Sequence, residues 1–298
     1  MTDVSFLCAH VTSTYQMSGY VGDGTHVRTY AIRTDVNNIG LALSRDGSRF
    51  AVSNDAHMII VYSVEDGTEV CAFGGYGSAP GQFKHPMKLC TSPRDTLLVA
   101  EYGNGRVQEV SMTGEHIRFV GEGVICSSVY GIACNGELIA VTKFNYEGSA
   151  PNSILLFNYD SGELVTQFAE HGDRRGRSIP ITGVRFTPDG QHIIIVDTYK
   201  SNRLCMFTLG GVFVKLIGVG VLGTESYGDV DFTADGCTVV ADTTAQRVCV
   251  FSGDGELLRS WGTKGILDGQ FRNPTAFAVH ENKLLVLDIY SPRVQVFH

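Results

Sequence analysis

Apolar and polar positions alternate along this chain in short runs, and the runs recur in a fixed order. An alternating segment is followed by a run of the type Leu-Leu-Val-Ala-Glu and then by a four-residue run. The four-residue runs start at Ile59, Val107, Ile154, Leu204, Val248 and Val294. Because the apolar period is two and Gly, Asp and Asn separate the runs, the pattern predicts β-strands and turns rather than helices.

A fourth element, a turn glycine with apolar residues three and six positions later, follows most of these runs. Its copies start at Gly67, Gly114, Gly162, Gly211 and Gly255, and one more lies ahead of all the other elements, at Gly24. The last four-residue run, from Val294, has no such element after it. We therefore expect the amino-terminal strand to complete the last sheet.

Six repeats of four strands predict an all-β fold, namely a six-bladed β-propeller of four-stranded antiparallel blades. The first strands of the repeats begin near residues 39, 87, 130, 182, 228 and 274, a spacing typical of propeller blades. Radial repetition protects sheet edges, and the amino-terminal outer strand would close the ring on the carboxy-terminal blade. We expect one propeller domain over residues 22–298, with residues 1–21 as an extension outside the repeat.

The turns predict two different faces for this ring. The first-to-second and third-to-fourth connections are short and contain Asp-Gly or Asn-Gly pairs, as at Asp46-Gly47 and Asp254-Gly255, which suit tight hairpins. The second-to-third and blade-to-blade connections are longer and would all lie on the opposite face. A rigid scaffold with variable loops on one face usually binds its partner there.

Composition narrows the functional classes. A net charge of −8 argues against a nucleic-acid surface, which is usually basic. No apolar run is long enough to span a bilayer, and residues 1–20 lack the features of a signal peptide. The eight cysteines form no Cys-x-x-Cys pair and sit mostly in strand-like runs, as reduced core thiols do. These observations predict a monomeric, cytoplasmic protein without a membrane partner.

Two segments, FGGYGSAPGQFKHP and WGTKGILDGQFRNP, together with the blocks LLVAEYGNGRVQEV and LLVLDIYSPRVQVF, resemble the NHL repeat. The resemblance covers roughly residues 22–298 and is specific in four of the six blades; the blades starting at Ile39 and Tyr130 lack the family's arginine. It implies a six-bladed propeller that binds a protein or RNA on its loop-rich face, although some similar propellers are enzymes, including amidating lyases. A single tryptophan disfavours kelch and WD40 propellers.

Arginines recur five or six residues after an acid in those four blades. Equivalent positions in successive repeats favour a structural role, a guanidinium–carboxylate pair that locks the second-to-third loop of each blade. The predicted pairs are Glu101 with Arg106, Asp197 with Arg203, Asp242 with Arg247, and Asp288 with Arg293.

Residues that the repeats do not share are better candidates for binding a protein or peptide on the loop-rich face. Aromatic side chains could anchor such a partner, and a basic insertion could flank it. Equally, the tyrosines that recur in EYGNGR, DTYKSNR and DIYSPR could be repeat packing, and the arginine insertion could be a solvated loop. The candidates are Tyr102, Phe144, Tyr146, Tyr199, Tyr290, Lys143, Lys200, Arg174, Arg175 and Arg177. Single-stranded RNA is the alternative partner, because aromatic and basic side chains also stack bases and contact phosphates.

A hydrolase or lyase with a central-channel site is the second alternative. The histidines scatter over turns and outer strands, with His85 and His171 near blade entrances, and Asn38 and Asp229 could serve a calcium-dependent site. No Gly-x-Ser-x-Gly, P-loop or His-Glu-x-x-His motif occurs. We therefore expect no catalytic residue, metal or cofactor, and a binding or scaffold function.

Overall fold

The computed structural model describes residues 24–125, 128–144, 152–169, 181–197, 203–223 and 228–298, and every regular element in them is a β-strand. The strands, in chain order, are β1 (His26–Ala31), β2 (Asn38–Leu43), β3 (Arg49–Asn54), β4 (Met58–Ser63), β5 (Glu69–Gly74), β6 (Pro86–Thr91), β7 (Leu97–Glu101), β8 (Arg106–Val110), β9 (His116–Val120), β10 (Ser128–Cys134), β11 (Leu138–Phe144), β12 (Ser153–Asn158), β13 (Leu164–Ala169), β14 (Ile181–Phe186), β15 (His192–Asp197), β16 (Arg203–Thr208), β17 (Phe213–Ile217), β18 (Val230–Phe232), β19 (Thr238–Asp242), β20 (Arg247–Phe251), β21 (Leu257–Trp261), β22 (Thr263–Lys264), β23 (Gln270–Phe271), β24 (Pro274–His280), β25 (Lys283–Asp288) and β26 (Arg293–Phe297).

Twenty-four of these strands form six antiparallel four-stranded sheets, the blades of a six-bladed β-propeller. Blades 1 to 5 are consecutive: β2 to β5, β6 to β9, β10 to β13, β14 to β17 and β18 to β21. Strands β22 and β23 form a small parallel pair in the loop that enters blade 6. The sequence prediction of the fold class is confirmed.

Blade 6 closes the ring, because its outermost strand comes from the other end of the chain. The sheet order is β24, β25, β26 and then β1. Thr29 pairs with Gln295 and Tyr30 with Val294, and beyond the strand the Gly24 amide donates to the His298 carbonyl at 2.9 Å. The predicted closure by the amino-terminal strand is therefore present.

The ring is held by apolar packing between neighbouring sheets. Six buried clusters each join two adjacent blades, including blade 6 with blade 1, where the ring centroids of Tyr30 and Phe50 lie 5.4 Å apart. On each outer strand the second apolar residue after the turn glycine faces this core. The first is 42–56% exposed in all six blades: Val27, Val70, Ile117, Val165, Val214 and Leu258. An apolar residue at this position therefore contributes to the outer edge strand and not to the core between blades.

Alternation of strand direction places the connections on two faces. The turn face carries the tight hairpins, where glycines such as Gly47 (φ 68°) and Gly255 (φ 92°) adopt left-handed conformations. The loop face carries the second-to-third and blade-to-blade loops. Within the described residues none of the six cysteines forms a disulfide. No helix there is long and apolar enough to cross a bilayer.

Candidate functional site

The recurring arginines of the loop face contact the acids that end the second strand of their blades. Each carboxylate is buried, whereas the arginine side chains are 11–37% exposed, so the pairs are partly shielded from water. The nitrogen–oxygen distances are 2.6 Å for Arg106–Glu101, 2.9 Å for Arg203–Asp197, 3.2 Å for Arg247–Asp242 and 3.7 Å for Arg293–Asp288.

In blade 2 the same arginine also holds the loop that enters the blade. Arg106 donates to the carbonyl oxygens of Ser78 at 2.8 Å and Gln82 at 3.1 Å. The buried Gln108 accepts from the Gly81 amide at 2.7 Å and donates to the Gln82 carbonyl at 3.2 Å. We call Arg106 and Gln108 the clamp of blade 2. The sequence assigned the arginine to the second-to-third loop alone, whereas it also holds the blade-to-blade loop.

Blade 6 has an equivalent clamp. Arg293 donates to the carbonyls of Ile266 at 2.5 Å and Gln270 at 2.7 Å. Gln295 accepts from the Gly269 amide at 2.8 Å and donates to the Gln270 carbonyl at 2.8 Å. Gly-Gln-Phe in the entering loop and Arg-Val-Gln on the third strand are thus two halves of one hydrogen-bonded unit.

Five aromatic rings from blades 1, 2 and 3 form a continuous row on the loop face, which we call the aromatic ridge. Its members, in order, are Tyr76, His57, His85, Tyr102 and Tyr130. Successive ring centroids are 5.0, 4.7, 6.5 and 5.3 Å apart, and most neighbours meet edge to face. Tyr76, at the outer end, is 67% exposed, so this end of the row faces solvent.

The two histidines of the ridge are fixed by the backbone. His57 and His85 both have positive φ, 64° and 47°, and the His85 amide donates to His57 Nδ1 at 3.1 Å. The hydrogen of neutral His57 therefore lies on Nε2. Burial lowers the pKa of His57, nearby His85 lowers it further, and Asp55 opposes them. His57 is therefore uncharged at neutral pH, and the ridge presents this ring without a positive charge.

The structure describes only part of the predicted partner-binding set. Tyr102 lies in the ridge. Tyr290 is 64% exposed between β25 and β26, and Lys143 is half-buried near the end of β11, both outside the ridge. The side chain of Phe144 lies outside the described residues, as do Tyr146, Tyr199, Lys200, Arg174, Arg175 and Arg177.

Sequence reasoning missed four ridge members, although a signal existed for two of them. The loops entering blades 2 and 6 share three glycines, a glutamine and a phenylalanine, yet Tyr76 stands where the other copy has Lys264, and His85 where it has Asn273. Differences between otherwise matching copies mark candidate functional positions. His57 and Tyr130 lie in the two blades that depart most from the repeat.

The central channel is crossed by a charged side chain. Lys88, on the inner strand of blade 2, reaches Asp229 on the opposite blade 5 at 3.3 Å and donates to the Thr275 carbonyl of blade 6 at 2.5 Å. Arg185 of blade 4 lies 3.8 Å from Asp229 and 3.5 Å from Asp231. Burial lowers the pKa of Lys88 by more than Asp229 raises it, so the net pKa is lowered. Two basic and two acidic side chains therefore face one another in the channel.

This network affects the calcium-dependent channel site that the sequence analysis considered, to which Asn38 and Asp229 would belong. Asp229 faces Lys88 and Arg185, so a cation placed on it would be repelled by two positive charges. Asn38 is buried, and its amide donates to the Arg33 carbonyl at 2.9 Å. Among the residues that the structure describes, no three His, Cys, Asp or Glu side chains are grouped as a metal site.

No protein-family model matches this chain, and no curated protein matches its sequence. The internal repeats and the closed ring therefore identify it by architecture, as a six-bladed β-propeller.

Proposed function

We propose that this propeller is a non-enzymatic binding protein of the NHL-repeat type, which recognises a protein or peptide on its loop face. The aromatic ridge is the observation that supports this function. Rings pre-ordered by the scaffold lose little conformational entropy on binding, and tyrosines in particular act as binding hot spots.

The clamp supports the NHL-type assignment. In blades 2 and 6 the residues that resemble the family motif, Gly-Gln-Phe and Arg-Val-Gln, bond to each other. The resemblance therefore corresponds to a physical unit that shapes blade-to-blade loops. Blade 2's clamp fixes the loop between Tyr76 and His85, which places two ridge residues.

The charge of the ridge favours a protein or peptide over RNA. Lys84, whose ammonium lies 5.5 Å from the Tyr76 ring centroid, is the basic residue that contacts the ridge in the described structure. With His57 neutral, few positive charges there could meet phosphates, which dominate the affinity of nucleic-acid interfaces. Apolar and aromatic side chains of a peptide suit the ridge better.

Site-specific photo-crosslinking tests this proposal. The full chain carries a photoreactive benzoylphenylalanine at Tyr76 or, as a matched control, at Val165, which is exposed on an outer strand. We expect a protein crosslinked from Tyr76 alone, and its capture to fall at least about fivefold when Tyr102 is also changed to alanine. The Tyr102→Ala chain should melt as the parent does. A ribonuclease-sensitive product, or equal capture from Val165, would contradict the proposal.

A further inference from the structure

A cavity opens into the channel from the turn face, on the side opposite to the ridge. Its volume is about 610 Å³, within the usual range for small-molecule sites. The ends of the inner strands of all six blades line it. The site is therefore separate from the loop face and from its proposed partner.

Arg185 lines this cavity without strong hydrogen bonds of its own. Its guanidinium lies 3.5 Å from Asp231 Oδ1 and 3.8 Å from Asp229 Oδ2, and it donates to the carbonyls of Val184 at 3.2 Å and Ile132 at 3.4 Å. Arg106, in contrast, has bonds of 2.6 and 2.8 Å. The Arg185 side chain is 16% exposed and all its partners named above lie at 3.2 Å or more, so it keeps capacity for a shorter, charge-assisted bond.

The other charged groups of the lining are acidic. Asp231 lies beside Arg185, while Glu137 and Asp189 lie at the mouth of the cavity. Burial raises the pKa of Cys134, to about 11, so this thiol is neutral. One arginine and three acids give the lining a formal net charge of −2. Burial raises the pKa of Asp231, and the neighbouring Arg185 opposes this shift. A matching ligand combines one anionic group with two cationic ones.

We propose that this cavity binds a small dibasic amino acid, of the lysine type. Its α-carboxylate would bond to Arg185, and its α-ammonium to the adjacent Asp231. The side-chain ammonium would extend towards Glu137 at the mouth. The paired opposite charges of the floor match the paired opposite charges of an α-amino acid, and the acidic mouth selects the basic side chain.

Calorimetric titration of the full chain with three probes tests each part of this match. L-lysine carries all three groups, L-norleucine lacks the side-chain ammonium, and cadaverine lacks the carboxylate. We expect L-lysine to bind most tightly, L-norleucine about threefold more weakly, and cadaverine not measurably. Equal binding of cadaverine and L-lysine would overturn the proposal, as would no heat from L-lysine at millimolar concentration.

Two variants assign the contacts. Arg185→Lys keeps the charge but not the two-pronged geometry, so L-lysine affinity should fall about tenfold. Glu137→Gln should remove the preference for L-lysine over L-norleucine, and because Glu137 is exposed this variant should fold even if Arg185→Lys does not. Glu256→Gln, an exposed acid in the third-to-fourth turn of blade 5, is the control and should change nothing. An unchanged preference in Glu137→Gln would contradict the proposed orientation.

Discussion

Blades 2 and 6 use the same clamp but are assembled differently. In blade 2 the four strands follow one another along the chain, whereas in blade 6 the outer strand comes from residues 26–31 and the other three from residues 274–297. Gln108 and Gln295 nevertheless make the same two bonds to their entering loops. The clamp is therefore a local unit that does not depend on how its sheet is completed.

Blades 4 and 5 show what happens where the clamp is incomplete. Cys205 and Cys249 occupy the position of the glutamine, and the loops entering these blades have no Gly-Gln-Phe. Arg247 still pairs with Asp242 and donates to the Val221 carbonyl at 2.7 Å. The glutamine and Gly-Gln-Phe occur together in blades 2 and 6 and are both absent from the other blades, as expected for two halves of one hydrogen-bonded unit.

The largest effect should come from breaking the closure that distinguishes blade 6. Removing residues 1–31 takes away β1, including Tyr30, which is buried between blades 6 and 1. We expect the free energy of unfolding to fall by about 5 kcal/mol or more, since domains have only about 5–15 kcal/mol in total. Urea unfolding measures this change.

The chain that lacks residues 1–23 is the reference for this deletion, so that any difference belongs to residues 24–31. An equal stability of the two shortened chains would refute the closure model. Disruption confined to blade 6, seen as faster amide exchange there than in blade 2, would refine it.

A smaller effect should come from the clamp itself. Gln108→Ala and Gln295→Ala each remove a buried side chain and leave a half-buried glycine amide without its acceptor, which costs about 1–3 kcal/mol of unfolding free energy. Cys249→Ala in blade 5 is the control and should cost less. Gln108→Ala alone should also reduce crosslinking from Tyr76, because only blade 2's clamp holds a ridge loop. Similar losses for all three variants would show that the clamp has no special role.

The smallest effect is a pH dependence that Glu109 gives blade 2 and that the equivalent position of blade 6 lacks. Burial raises the pKa of Glu109, but bonds from Thr96, Arg118 and Tyr159 outweigh it, so the net pKa is lowered. A carboxylate with a lowered folded-state pKa stabilises the protein above its unfolded pKa of about 4.3 and loses this contribution as the pH falls further. The equivalent residue in blade 6, Val296, does not titrate.

Urea unfolding between neutral pH and the acid range measures this contribution of Glu109. The unfolding free energy of the parent chain should drop more steeply below about pH 4.3 than that of Glu109→Gln. Parallel curves for the two chains would exclude this residue as a source of acid sensitivity.

The fold could be predicted from the sequence because each repeat contains the local signals for its own strands and turns. Turn glycines, alternating apolar residues and the displaced element at Gly24 together specified six blades and their closure. Of the clamp, only the arginine with its acidic partner was predicted, because their spacing is visible in the sequence. The bonds to the entering loop join residues that are distant in the sequence, such as Gly81 and Gln108, which are 27 positions apart. These bonds become visible only in the folded structure.

The ridge and the channel network could not be derived in the same way. The ridge joins three blades and depends on left-handed backbone conformations at His57 and His85. Neither conformation can be predicted from the sequence. Lys88 and Asp229 lie 141 positions apart and meet only because opposite blades of a six-membered ring face each other. Sites that form between repeats are invisible to an interpretation made one repeat at a time.

Because the first strand belongs to the last blade, blade 6 can form only after β26 has been synthesised. Strand β1 leaves the ribosome first, but its partner β26 is made last, about half a minute later at about 10 residues per second. During that interval the blade 6 sheet cannot exist, and the edge-forming residues of β1 have no native partner. Until then β1 carries an unpaired strand edge, a feature that makes incompletely folded chains prone to aggregate.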